Sequence, residues 1–173
     1  MSLEQIKARA TLRVRHERPY DFDEKRGLWL YKRLDEDEEY GNILTNVGRV
    51  TIHTFVYGTT AQRTAHSLGD GLHYIGLSND SASPAPGDTV LAAELSTNGL
   101  QRVLGAVTLP TGSGTITQVQ NQFTYSGGGT QAVQKTALFD AISSGNMAHE
   151  ILFTQRTLAT ADTLTLVFSI TVT

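Results

Sequence analysis

Five histidines, a sparse set of carboxylates and a few serines are the residues of this chain whose types could do chemistry. His66, Asp70 and His73 are ligand types for zinc. Their steps of four and three residues share a face only on a helix, and Gly69 and Gly71 oppose a helix there. They read as loop and strand-edge residues; the other histidines are His16, His53 and His149. Ser67 and the Ser78-Asn79-Asp80 run lack the Gly-x-Ser-x-Gly frame that presents a nucleophilic serine on a sharp turn. Asp70, Asp80, Asp88 and Glu94 could supply a carboxylate pair for glycoside hydrolysis, but turn and cap duties account for aspartates in such settings. Gly127-Gly128-Gly129 has no Lys-Ser/Thr pair behind it, so it reads as a hairpin tip, not a phosphate cradle. Cysteine is absent, which removes disulfides, thiolate catalysis and cysteine-based metal sites. The expectation is a protein that is not an enzyme, with no metal and no cofactor.

The charges are concentrated at one end. Residues 1–40 hold 9 Lys/Arg and 10 Asp/Glu of the chain's 14 and 17. This shift near Tyr40-Gly41 divides the chain into an extended charged N-terminal arm, 1–40, and a domain of residues 41–173. Ala8–Arg15 alternates small or apolar with polar residues, and its polar side is basic through Arg9, Arg13 and Arg15. Gly27–Tyr31 is a second extended stretch and holds the single tryptophan. A segment with so little to bury reads either as a flexible solvated leader or, the reading preferred, as an arm that orders against neighbouring subunits. Arg9, Arg13 and Arg15 would make its polar contacts, with Tyr20, Trp29 and Tyr31 as aromatic anchors. A net charge of −3, with acids beside the arginines, gives no reason to expect nucleic acid as a partner. No secretion-type start and no long apolar window are present, so a soluble protein assembled in the cytoplasm, without a membrane, is expected.

The elements that must position these residues are mostly strands. Thr, Ser, Gly, Asn and Gln fill the place of the charged residues beyond Tyr40, a mix suited to short strands and Gly-containing turns. Residues 71–77, 100–109, 115–125, 132–139 and 147–154 are strand candidates, with a hairpin around 110–114. Residues 163–173 give the clearest pattern: Leu164, Leu166, Phe168, Ile170 and Val172 alternate with a largely hydroxylated set. Residues 46–57 fit a helix capped by Thr45 or Asn46 and nearly as well a strand, since Val50–Val56 is rich in β-branched residues; the helix is favoured by the resemblance given below. Asp88–Glu94 fits a short helical piece capped by Asp88. The fold expected is all-β, a β-sandwich or jelly roll, with one or two short helices.

Several segments resemble a recurrent pattern in structural proteins of tailed bacteriophages. They are Asn42-Ile43-Leu44-Thr45-Asn46-Val47-Gly48-Arg49, Tyr74–Asp80, Pro84–Leu91 with Ala93-Glu94-Leu95, Gly99–Arg102, Thr136–Phe139 and Asp162–Thr171. They span residues 42–173, leaving the arm outside. The resemblance implies a virion structural protein. A small domain with a long arm suits a capsid decoration or cement protein that bridges neighbouring subunits of the major capsid protein or other virion proteins. The same resemblance would also fit a tail, baseplate or connector component. A glycan-binding module fits less well, because its exposed aromatics would need to line a groove. A trimer or ring is the expected homo-oligomer.

Overall fold

A computed structural model describes residues 8–23, 26, 28–34, 38–41, 43–48, 71–109 and 116–172. Eleven strands are described: β1 (Ala8–Asp23), β2 (Leu28–Arg33), β3 (Glu38–Gly41), β4 (Ile43–Leu44), β5 (Tyr74–Ser78), β6 (Val103–Leu104), β7 (Ala106–Thr108), β8 (Ile116–Thr124), β9 (Gln131–Phe139), β10 (Met147–Leu158) and β11 (Thr163–Val172). They form two antiparallel sheets. Sheet A has the order β2-β1-β11-β8-β7, with β3 also on β1; sheet B has the order β4-β10-β9-β5-β6.

The sheets bury one core between them. Sheet A contributes Leu12, Val14, Val119, Phe123, Leu164, Leu166 and Phe168, and sheet B contributes Ile75, Leu77, Val133, Leu138, Ile151, Phe153 and Leu158. Period-two alternation puts these inward and leaves Arg13, Arg15, Thr165, Val167, Gln118 and Gln120 on the outer face of sheet A. The outer face of sheet B is covered instead. Leu91, from the loop after β5, packs there with Ala137, Phe139 and Met147. Arg102 fastens the same layer: it forms a two-toothed pair with Glu94, donates to the Ala141 and Ser144 carbonyls, and lies 3.4 Å over the Phe139 ring.

The change in charge density near Tyr40 is not an edge of the sandwich. β1 is an interior strand of sheet A, paired with β11 from Ala8↔Val172 to Glu17↔Thr163, and Leu12 and Val14 have no exposed surface. Charge is tolerated there because Arg13 and Arg15 stand at outward positions. What runs past Thr163, the start of β11, is the remainder of β1, which pairs with β2 as a hairpin from Glu17↔Arg33 to Asp23↔Leu28.

Residues 88–94 hold no helix, contrary to the sequence expectation. The Asp88 carboxylate accepts from the backbone of Ala85, behind it, and does not cap a helix ahead. Ala93 has φ 49°, outside the right-handed helical region, and Glu94 bridges to Ser78. Helix does begin at 46, where the Thr45 hydroxyl caps the Gly48 N–H at 2.9 Å; positions 49–57 lie outside the described residues. The stretch 100–109 crosses between the sheets, since β6 belongs to B and β7 to A. Gly105 stands at the crossing because a Cβ there would meet Val119 at 2.7 Å and the His73 carbonyl at 3.0 Å.

Candidate interaction surface

The β1–β2 hairpin gathers apolar side chains that stand exposed among the described residues. Of the eleven large hydrophobic residues exposed among those described, six lie between residues 20 and 34: Tyr20, Phe22, Leu28, Trp29, Tyr31 and Leu34. The register explains the grouping. Phe22 pairs with Trp29 across the hairpin, their rings 5.3 Å apart and tilted by 58°, and Tyr31 shares the Trp29 side by period two. A shift between Pro19 and Asp21 marks a bulge, and Tyr20, 63% exposed, sits in it. Trp29 is 59% exposed, so the indole offers most of its area to a partner.

A buried carboxylate holds the base of this hairpin. Asp162 is fully buried in the turn from β10 to β11. It accepts from Arg18 Nε and Nη2, both at 2.8 Å, from the Ala159 N–H at 2.9 Å and from His16 Nε2 at 2.9 Å. An ionised carboxylate only accepts, so the His16 proton resides on Nε2. Burial alone would raise the Asp162 pKa, but the bonds from Arg18, Ala159 and His16 outweigh it and hold it below the ordinary carboxylate value. His16 is 4% exposed, so this histidine–aspartate pair is closed to a substrate and serves to lock β1 to the β10–β11 turn.

The arginines occupy a different place from the aromatics. Arg13 and Arg15 lie on the outer face of sheet A, where with Gln118, Gln120, Thr165 and Val167 they line a shallow cavity of about 240 Å³. Arg9 is in register with Thr171 on the same strand, and its side chain lies outside the described residues. Tyr20, Trp29 and Tyr31 come together on the hairpin, whereas Arg13 and Arg15 face the flat polar sheet behind it. Sequence reasoning missed Phe22 and the Arg18–Asp162–His16 lock, because only strand register makes them neighbours. Of the metal-ligand candidates, His66 and Asp70 fall outside the described residues.

The exposed aromatic face and the basic, amide-rich face can form two kinds of protein contact, one by apolar burial and one by charged hydrogen bonds. Comparison of the chain with protein-family models and with curated protein sequences gives no match.

Proposed function

We propose that this chain is a non-enzymatic structural protein of a tailed-phage particle, seated on the head as a decoration or cement protein. In this reading a jelly-roll-like sandwich is the body, and the β1–β2 hairpin is the part of the N-terminal segment that reaches the major capsid protein. The observation that carries it is the concentration of exposed Phe22, Trp29 and Tyr31 on a hairpin locked at its base. Contiguous exposed apolar surface marks contact sites, and aromatic side chains dominate binding energy where they seat in a partner. A locked base means the hairpin loses little freedom on docking, so more of the contact energy appears as affinity. The resemblance of residues 42–173 to phage structural proteins supplies the particle. Several copies, as a trimer or ring, would multiply a modest contact.

Immunogold labelling of intact virions with antibody against this chain tests the assignment. Dense labelling over the head is the expected result. A few grains at the neck or tail would move the protein to the tail, baseplate or connector class, and a particle preparation free of the chain would overturn the virion reading.

A further inference from the structure

The covered face of sheet B contains a lysine with almost no access to water. Lys135 alternates on β9 with core-facing Thr136 and Leu138, and its side chain is 2% exposed. Its Nζ hydrogen-bonds the carboxylate of Asp80, which follows β5. Glu150 on the adjacent strand β10 places Oε1 3.4 Å from the same nitrogen, its side chain also 2% exposed. Glu150 Oε2 is buried with no amide, hydroxyl or cationic donor on it among the described residues, and the group beside Glu150 is the Asp88 carboxyl, with which it can share a proton. Lys135 and Asp80, 55 positions apart, are held in contact by two paired strands and a loop that turns back over them.

A salt bridge alone leaves part of this arrangement unexplained. One carboxylate satisfies a lysine's charge, and a second buried carboxyl, set between Lys135 and the acid Asp88, adds desolvation cost that the pair does not require. An amine, a carboxyl group against it and a third group able to carry a proton between them are the parts required for condensation. We propose that Lys135 and Asp80 become joined by an intramolecular amide bond, with Glu150 as the proton carrier.

The step balances within the chain. The Lys135 Nζ–Asp80 Cγ bond forms and one Cγ–O bond breaks. Two hydrogens from the ammonium leave with that oxygen as water, and net charge is unchanged because one positive and one negative group disappear together. Glu150 takes the proton from Nζ and delivers it to the departing oxygen. Burial first, and then the neighbouring Asp88, raise the Glu150 pKa to about 7 against the pull of Lys135, so it can both hold and release a proton near neutrality. Amide formation is unfavourable between free molecules in water. Holding the two groups in contact makes the encounter intramolecular, which in well-oriented cases speeds reaction by the equivalent of about 10⁵–10⁸ M, and the covered face, where Lys135 and Glu150 are each 2% exposed, keeps bulk water from reversing the bond. The product would tie the loop after β5 to sheet B covalently, in a chain that has no cysteine for the purpose. The inference is independent of any place in a virus particle.

The test is the intact mass of the purified full chain under denaturing conditions, with a tryptic map. The expected wild-type mass is lighter than the sequence by one water, trypsin fails to cut after Lys135, and a branched peptide joins the segments holding Asp80 and Lys135. Asp80→Ala and Glu150→Gln are expected to give their full masses and normal cleavage. A wild-type chain at full mass and cut after Lys135 overturns the proposal, and needs no variant to fold. A water loss mapping to another position, such as Asp70-Gly71, overturns it equally. Loss of water undiminished in Glu150→Gln would overturn the role given to Glu150.

Discussion

Phe168 shows how a single position on β11 carries the joint between its neighbours. It has no exposed surface and stands in register with Leu12 on one side and Val119 on the other. Phe168→Ala is therefore expected to cost about 3–5 kcal/mol, the range for large-to-small changes at well-packed sites. A loss below about 1 kcal/mol in denaturant melts would show that this core can collapse around the gap. His149 and Glu150, adjacent on β10, make opposite demands on pH. Burial lowers the His149 pKa from 6.5 to about 4. The unfolded chain takes up that proton below about 6.5 and the folded one only near 4, so this contribution is complete above 6.5 and is lost as pH falls to 4. Glu150, raised from 4.5 to about 7, contributes fully below 4.5 and loses that contribution as pH rises to 7. Between 4.5 and 6.5 the two slopes cancel in the wild type. The advantage of wild type over His149→Gln should nonetheless shrink by about 3 kcal/mol between pH 6.5 and 4, at roughly 1.4 kcal/mol per pKa unit. Urea melts of both proteins across that range check it, and a constant difference would mean that His149 is not held neutral by burial.

At the scale of elements, the period-two pattern of a strand proved more informative than the density of charge around it. Residues 163–172 form β11 with Leu164, Leu166 and Phe168 inward, as the alternation of the sequence demands. The alternation over 8–15 likewise identified β1, but nineteen charges in the first forty residues set that strand apart from the domain it belongs to. Charge density averages over both faces, whereas only one face of β1 meets the core. Asp88–Glu94 misled for a local reason: a cap residue before apolar positions looks the same whether its carboxylate turns forward or back. Lys135 and Glu150 were invisible as a pair because a charge at an alternate strand position reads as solvent-facing. The signal that could have found Glu150 is its place between Met147-Ala148 and Ile151. This division of the N-terminal segment predicts two different deletions. Removing residues 8–17 takes a central strand and should leave an insoluble or unfolded chain. Replacing residues 19–31 by Asn-Gly, between the paired Arg18 and Lys32, should leave a cooperative sandwich whose melting temperature changes little, since a two-residue turn suits an antiparallel pair. Circular dichroism melts distinguish them, and a folded product lacking 8–17 would show that β11 does not need β1.

Taken whole, the molecule is unequal on its surfaces. The outer face of sheet B is sealed by loops, the outer face of sheet A is open and polar, and the exposed aromatic area gathers beyond the start of β11. The hairpin also carries Arg18, Lys25, Arg26, Lys32 and Arg33 against Glu17, Asp21, Asp23 and Glu24, and Arg18 is paired with Asp162, so the charges there offset each other. Attachment through this end should then depend on apolar burial more than on long-range attraction, and should weaken only modestly as salt screens the charges. Trp29→Ala tests which force dominates. The side chain is 59% exposed and touches Phe22, so its loss should change stability by less than about 1 kcal/mol. Binding to particles should fall by about 2 kcal/mol or more, roughly thirtyfold, if the indole seats in a partner pocket. The paired change Arg13→Ala with Arg15→Ala removes two cations from the open sheet and should leave that binding nearly intact. Should the arginine pair prove the costly one, and Trp29→Ala the silent one, the contact would belong to the flat face of sheet A, with an acidic partner surface in place of an apolar one.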